Sequence, residues 1–160
     1  MNLPSEDEIT RTVETYSGNV LRLSYAFLKN QSDAEDISQE VFITYMKKSP
    51  EFMEESSKKA WLLRVTSNKC KDFLRFRKRR PTVELADNFG YMPEESGFLL
   101  SVVMRMDEKY RIPIHLYYYE DYSIKEIAKI LHTNPATIGT RLARGRKHLK
   151  EMIETDDSLL

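Results

Sequence analysis

One cysteine, Cys70, is all the chain has, which excludes an internal disulfide and any metal site built from several thiolates. No apolar run approaches the roughly 18 residues that mark a membrane-spanning helix. The N-terminus is polar and acidic, unlike a signal peptide. Glycine and proline are few, at 5 and 6 of 160 residues. No phosphate-binding glycine loop, metal cluster or nucleophile–base pair is present, so no catalysis by the chain itself, no metal and no cofactor are expected. These absences predict a soluble, cytoplasmic, non-enzymatic protein with room for one medium domain or two small ones.

What is plentiful is charge. A formal net charge of zero conceals alternating blocks. Residues 1–57 carry 5 basic against 11 acidic side chains, 58–81 carry 10 against 1, 82–121 carry 3 against 8, and 122–150 carry 7 against 1. Two basic blocks set between acidic ones point to two places that meet a polyanion, and not to a uniformly basic coat.

The second basic block has the clearest local grammar. Ser123 and Glu126 have the spacing of a capping box, which predicts a helix from Ile124, with Ile127, Ala128 and Leu131 as its apolar stripe. His132-Thr133-Asn134 interrupts the pattern. Asn134 then suits an N-cap and Pro135 a first helical position. The following helix is expected to bury Ile138, Leu142, Leu149 and Ile153, with Gly145 where helices approach closely. Its other face carries Thr137, Thr140, Arg141, Arg144 and Lys147. A polar and basic helix after a short turn fits a helix-turn-helix, whose second helix lies in the major groove of DNA. The plainer alternative is a helical hairpin with a solvated basic face. Histidine at 132 stands where that motif's turn usually has glycine.

Earlier in the chain, Ile9, Val13, Tyr16, Val20, Leu23 and Phe27 predict a long amphipathic helix over 8–29. Ser32 with Glu35 reads as another capping box, opening a helix whose buried face is Ala34, Ile37, Val41 and Tyr45. Asp36, Gln39, Glu40 and Ile43 make a separate acidic face, suited either to solvent or to a basic protein partner. Residues 50–57 read as an exposed loop. A helix from about Lys58 to Lys78 places Leu62, Val65, Cys70, Phe73, Leu74 and Phe76 on one side. Arg64, Lys71, Arg75 and Lys78 line up on the other, with Asn68 at the edge of their sector. A solvated face usually mixes signs to gain pairs one turn apart. Here only Asp72 does so, which favours a phosphate backbone as counter-charge.

Residues 82–97, with four acids and no base, read as a flexible linker. Phe98–Met106 and the stretch around Pro113 predict further helices, with Ile114, Leu116, Tyr117 and Tyr118 as core; a base-stacking use of Tyr117–Tyr119 is the less common alternative. The expected architecture is therefore all-α: two small helical domains, 1–81 and 98–160, joined by the acidic linker 82–97, with a frayed C-terminal tail.

With these stretches in order, the chain resembles the extracytoplasmic-function (ECF) sigma factors of bacterial RNA polymerase. DAEDISQEVF (33–42) is similar to the family's region 2.2, AWLLRVTSNKCKDFLRFRKRR (60–80) to its region 2.3–2.4, and the stretch from Met106 to Lys150 to its region 4. The resemblance implies that Asp36, Gln39 and Glu40 dock on core polymerase. It implies that Arg64, Asn68, Lys71, Arg75 and Lys78 act on the −10 element, with Asn68 and the 52–57 loop near a flipped-out base. It implies that Thr137, Thr140, Arg141 and Arg144 read the −35 element while other faces of region 4 meet the polymerase flap. Core polymerase, promoter DNA and an anti-sigma factor are the implied partners, and the linker is expected to thread the enzyme's nucleic-acid channel. Gly139, where the family often has lysine, departs from the pattern, as does His132.

Two other classes are weaker. A helix-turn-helix repressor or activator would need a dimerisation or effector domain, and residues 1–57 show neither heptads nor a ligand-pocket signature. A recombinase would need a catalytic serine or tyrosine amid arginines, and no such grouping is evident.

Overall fold

A computed structural model describes residues 3–48, 50–79 and 97–155. Most of the expected linker, 82–96, and the end of the tail, 156–160, lie outside the described residues. What is described is all-α, with no strand among those residues, and it separates into two compact units on either side of 80–96.

The first unit is a three-helix bundle: α1 (Glu6–Leu28), α2 (Gln31–Lys48) and α3 (Glu55–Arg79), each packed on the other two. Ser5 caps α1 by accepting from the Glu8 amide at 3.2 Å, and Glu6, Asp7 and Glu8 in the first turn complement the helix dipole. The helix stops at Lys29, which takes a left-handed conformation (φ 54°). α2 begins at Gln31, two residues earlier than a cap at Ser32 implies. The cap is Asn30, whose Oδ1 accepts from the Asp33 amide at 2.9 Å, and Ser32 is exposed inside the first turn. Val20, Leu23, Ala34, Val41, Leu62, Leu63 and Cys70 are fully enclosed, and all but Leu63 lie on the apolar stripes the sequence predicts.

α3 starts at Glu55, so part of the expected 50–57 loop is its first turn. Tyr16 explains the early start, because its hydroxyl donates to Glu55 Oε2 at 2.8 Å and fixes that turn against α1. Phe76, expected on the apolar side, is 60% exposed. It falls at the margin of the buried stripe, near the C-terminal end of α3.

The second unit comprises α4 (Gly97–Val103), α5 (Glu108–Tyr118), α6 (Ile124–Ile130) and α7 (Pro135–Thr155), with α7 packed on the other three. α4 is shorter than expected, stopping at Val103. Pro113 lies in the second turn of α5. Lacking an N–H, it leaves the Lys109 carbonyl without its usual helical donor, a loss confined to one bond so near the helix start. Tyr118, expected in the core, is 51% exposed, and Tyr117 is half-buried. The cause is Arg146, whose Nε donates to the Tyr118 hydroxyl at 2.6 Å while its guanidinium lies 5.3 Å from the Tyr117 ring centre. That pairing holds both rings at the surface.

Candidate functional site

The helix-turn-helix is α6, a turn and α7. Ser123 accepts from the Glu126 amide and the Glu126 carboxylate accepts from the Ser123 amide, closing the capping box at 3.2 and 3.0 Å. The turn ends α6 with Leu131, then His132 at φ 54°, and the Thr133 amide returns to the Ala128 carbonyl at 2.9 Å. That bond is the six-residue closure of a left-handed helix end. Histidine thus occupies the conformation that glycine adopts without strain. Asn134 Oδ1 accepts from the Thr137 amide at 2.8 Å and starts α7 at Pro135.

Ile138 and Leu142 are completely buried under α7 and Gly145 sits against α5, where Ile114 and Tyr110 come closest. Leu149 and Ile153, expected in the core, are only part-buried and line an open groove. Burying that side fixes the outward face. It carries Thr137 and Arg141, half-buried, and Thr140, Arg144 and Lys147, exposed. The groove lies near the other end of α7, lined by Leu99, Val103, Tyr118, Leu149 and Ile153, with Arg146 and Lys150 among its polar members.

In the first unit, α3 exposes Arg64, Asn68, Arg75 and Lys78, and half-buries Lys71. Arg75 pairs with Asp72 one turn back. Arg77 differs from its neighbours. It faces α2, with Nη2 3.4 Å from Asp33 Oδ2 and its guanidinium over the Phe73 ring. The basic run 75–79 therefore divides into outward cations and one tying residue, a division that sequence alone conceals.

The residues before α3 belong to the same face as Asn68. Trp61 lies two turns from Asn68 on that side of α3, and Phe52 meets it edge-on at 6.0 Å between ring centres. Met53 beside it is wholly exposed. A cleft of 710 Å³ opens here, lined by Arg11, Tyr45, Phe52, Met53, Glu54 and Lys58 among others. Its floor is set by polar contacts: Lys58 Nζ lies 3.4 Å from both Glu55 Oε1 and Thr12 Oγ1. The hydrogen bond from Tyr16 holds the Glu55 carboxyl below its ordinary range. Burial first, then the same bond and the carboxylate's charge, push the Tyr16 phenol up to about 12. Phe52, Met53 and this polar floor were not singled out in the sequence; only the position of the loop was.

On α2, Asp36, Gln39, Glu40 and Ile43 are all exposed, Ile43 to 43%, at spacings that place them on one stripe. The three candidate groups therefore occupy three helices, two in the first unit and one in the second. Among the described residues no group of His, Cys, Asp and Glu could hold a metal ion, and no helix is long and apolar enough to cross a membrane.

Comparison with known proteins covers both units. The Sigma-70 region 2 family matches residues 12–80, and the Sigma-70 region 4 family matches residues 99–149. Among curated proteins, the chain is 29% identical to the ECF RNA polymerase sigma factor SigW of Bacillus subtilis, over 92% of this chain and 90% of that one. It is 28% identical to the ECF RNA polymerase sigma factor SigE of Mycolicibacterium smegmatis, over 98% of this chain and 64% of that longer one. Among solved structures, the fold is similar to that of the sigma factor RpoE of Bartonella quintana in complex with the anti-sigma factor NepR. The TM-score is 0.73 at 20% identity, over 92% of this chain and 97% of that one.

Proposed function

The chain belongs to the extracytoplasmic-function sigma factors, which direct bacterial RNA polymerase to its promoters, and we propose how its two units share that work. Residues 1–81 act as the polymerase-docking and −10 domain, 98–160 as the −35 domain, and 82–97 as the acidic connection that threads the enzyme's nucleic-acid channel. Asp36, Gln39 and Glu40 dock on core polymerase, with Ile43 as the apolar member of the patch. Arg64, Lys71, Arg75 and Lys78 hold the −10 phosphates. Asn68 meets the edge of an unpaired base, its amide offering donors and an acceptor. The cleft beside Phe52 and Met53 lies on the same side and receives that base.

In the second unit Thr137, Thr140, Arg141 and Arg144 face the major groove at the −35 element. The apolar groove beside Leu149 and Ile153 faces polymerase. An anti-sigma factor, of the kind bound to the solved relative, is a further partner. The protein acts in the cytoplasm and contributes no catalytic step of its own. Opening DNA requires unstacking a base, at a cost of about a few kcal/mol. Simultaneous binding to polymerase and two DNA elements through one tether supplies it, since each contact raises the local concentration of the next.

The observation that carries this reading is the alignment of Arg64, Lys71, Arg75 and Lys78 along one side of α3. Run-off transcription with core polymerase on a pool of genomic promoters tests it. A discrete set of transcripts dependent on the chain is expected. A transcript pattern identical to that of core enzyme alone would overturn it.

A further inference from the structure

Among the described residues of the second unit, the large apolar side chains that stand in solvent are Leu99, Tyr118 and Tyr119, and all three line one groove. Scattered singly, such residues need no explanation; gathered round a concavity of 610 Å³, they mark a surface that meets something. Its charge says what. Arg146 lies two residues beyond Arg144 and so about 160° round α7 from it, away from the face assigned to the major groove. Its Nε donates to the Tyr118 hydroxyl at 2.6 Å, and its guanidinium lies 5.3 and 5.7 Å from the Tyr117 and Tyr118 ring centres. Held in that way, the planar fork keeps two further nitrogens with which to meet a carboxylate. Lys150, about one turn on, is exposed at the same rim, with Glu154 4.0 Å from it.

We propose that residues 156–160 of this chain fold back into the groove and hold it until polymerase displaces them. The proposal rests on the reading that the groove faces polymerase. The segment follows α7 directly and runs Asp156, Asp157, Ser158, Leu159, Leu160, acids first and apolar side chains after. The last turn of α7 has no basic residue, and Glu151 and Glu154 already stand near that end. Acidic groups are disfavoured at the negative end of a helix dipole. Asp156 and Asp157 therefore gain by turning back toward Lys150 and Arg146. The same turn carries Leu159 and Leu160 over the apolar side of the groove, where Leu99, Leu149 and Ile153 lie. Reach allows it. Residues 156–160 span about 17 Å at about 3.4 Å each, and Arg146 lies about 14 Å back along α7 from Thr155, at about 1.5 Å per residue. An acidic end frays when nothing receives it; here a receiver lies alongside. The covalent tether gives the segment an effective concentration of millimolar order. Ordering so short a segment offsets most of what two leucines gain by burial, so it yields to a larger apolar partner.

The test uses the free full chain with its leucine and valine methyl groups labelled for nuclear magnetic resonance. Cross-relaxation is expected from the Leu159 and Leu160 methyls to those of Leu99 and Val103, unchanged on dilution. Its absence overturns the proposal and leaves the groove to polymerase. Cross-peaks that fade on dilution assign the segment to a second copy of the chain and overturn it equally. Asp156→Lys with Asp157→Lys should remove most of the intensity; full intensity in that variant overturns the charge pairing on which the proposal stands. Assembly with core polymerase supplies the second arm. A groove occupied about two thirds of the time lowers apparent affinity about threefold, so deletion of 156–160 should tighten assembly by about that factor. Leu99→Glu, at the exposed rim, separates the two readings. Assembly unaffected by Leu99→Glu means that the groove does not face polymerase, and the competition falls with that reading. Assembly weakened by Leu99→Glu but unchanged by the deletion overturns the competition and leaves the groove's assignment standing.

Discussion

Asp33 in the first turn of α2 and Arg77 in the last turns of α3 approach to 3.4 Å, joining the helix that carries the acidic patch to the helix that carries the cation row. Both side chains are about three-quarters buried, with 22% and 26% exposed, so the pair is less screened than a surface bridge.

Arg77 and Lys78, adjacent in sequence, should therefore fail differently. Arg77→Ala is expected to destabilise the first unit by about 1 kcal/mol, the upper end for a partly exposed pair, and to leave the salt dependence of promoter binding unchanged. Lys78→Ala should leave stability within about 0.5 kcal/mol and lower the salt slope by about 0.9. Urea unfolding followed by the lone tryptophan, Trp61, reports the first unit alone. Equal salt slopes for the two variants would contradict the division.

Tyr16 and Glu55 make a pH-dependent tie between α1 and the start of α3. The Glu55 carboxyl is held below its ordinary range, chiefly by the Tyr16 hydrogen bond, so its contribution is present above that range and is lost as pH falls through the depressed value. The Tyr16 phenol is raised from 10.0 to about 12, so its contribution is intact below 10 and is lost as pH rises toward 12. Tyr16→Phe should cost about 0.5 kcal/mol near neutrality, the low end for a hydrogen bond because the carboxylate is exposed. The gap between parent and variant should close at both extremes. A gap constant across the whole pH range would exclude this tie.

The features legible in the sequence are those decided within a few residues. The Ser123–Glu126 box and the Asn134 cap preceding Pro135 need only their own neighbours, and the apolar spacing of α1 and α2 needs only helical periodicity. What escaped was decided at a distance. Asn30 and Ser32 are both capable caps, and the choice falls to Asn30 because Lys29 ends α1 in the left-handed region. The start of α3 depends on Tyr16, 39 residues away, and the exposure of Tyr118 on Arg146, 28 residues away. At the candidate site the residue types and their helices were legible. The split of Arg77 from its neighbours was not, because it requires Asp33 from another helix.

Gly145 tests how tightly α7 packs on α5. An added Cβ would lie 2.7 Å from Ile114 Cδ1 and 3.4 Å from Tyr110 Cβ. Alanine in a helix interior is favoured over glycine by about 1 kcal/mol, whereas overpacking costs about 1–3 kcal/mol. Ile114 is 2% exposed and borders the groove, so turning its terminal methyl away gives up packing between α5 and α7, and overpacking should win by about 1 kcal/mol. Ile114→Val removes the clashing methyl and by itself costs about 0.5–1.5 kcal/mol. The double variant should be more stable than the two single effects combined would give, in thermal unfolding followed by circular dichroism. Simple additivity would show that the helices separate and absorb the methyl.

Arg141 and Arg144 share the outward face of α7 but not the same surroundings. Arg141 is half-buried and lies nearer the N-terminal end, from which a recognition helix reaches base edges; Arg144 is exposed and almost one turn further on. A buried stem restricts the directions a guanidinium can take, and the planar fork then favours one bidentate partner. Arg141→Ala is therefore expected to cost about 1–3 kcal/mol on the preferred promoter and to erase preference at one −35 position. Arg144→Ala should weaken all −35 variants alike and reduce the salt slope by about 0.9, as loss of one phosphate contact does. A panel of promoters changed at single −35 positions, titrated with holoenzyme at several salt concentrations, separates the two effects. Exchange of the two phenotypes would mean that α7 enters the groove further along its length. No effect from either variant would remove this face from −35 recognition.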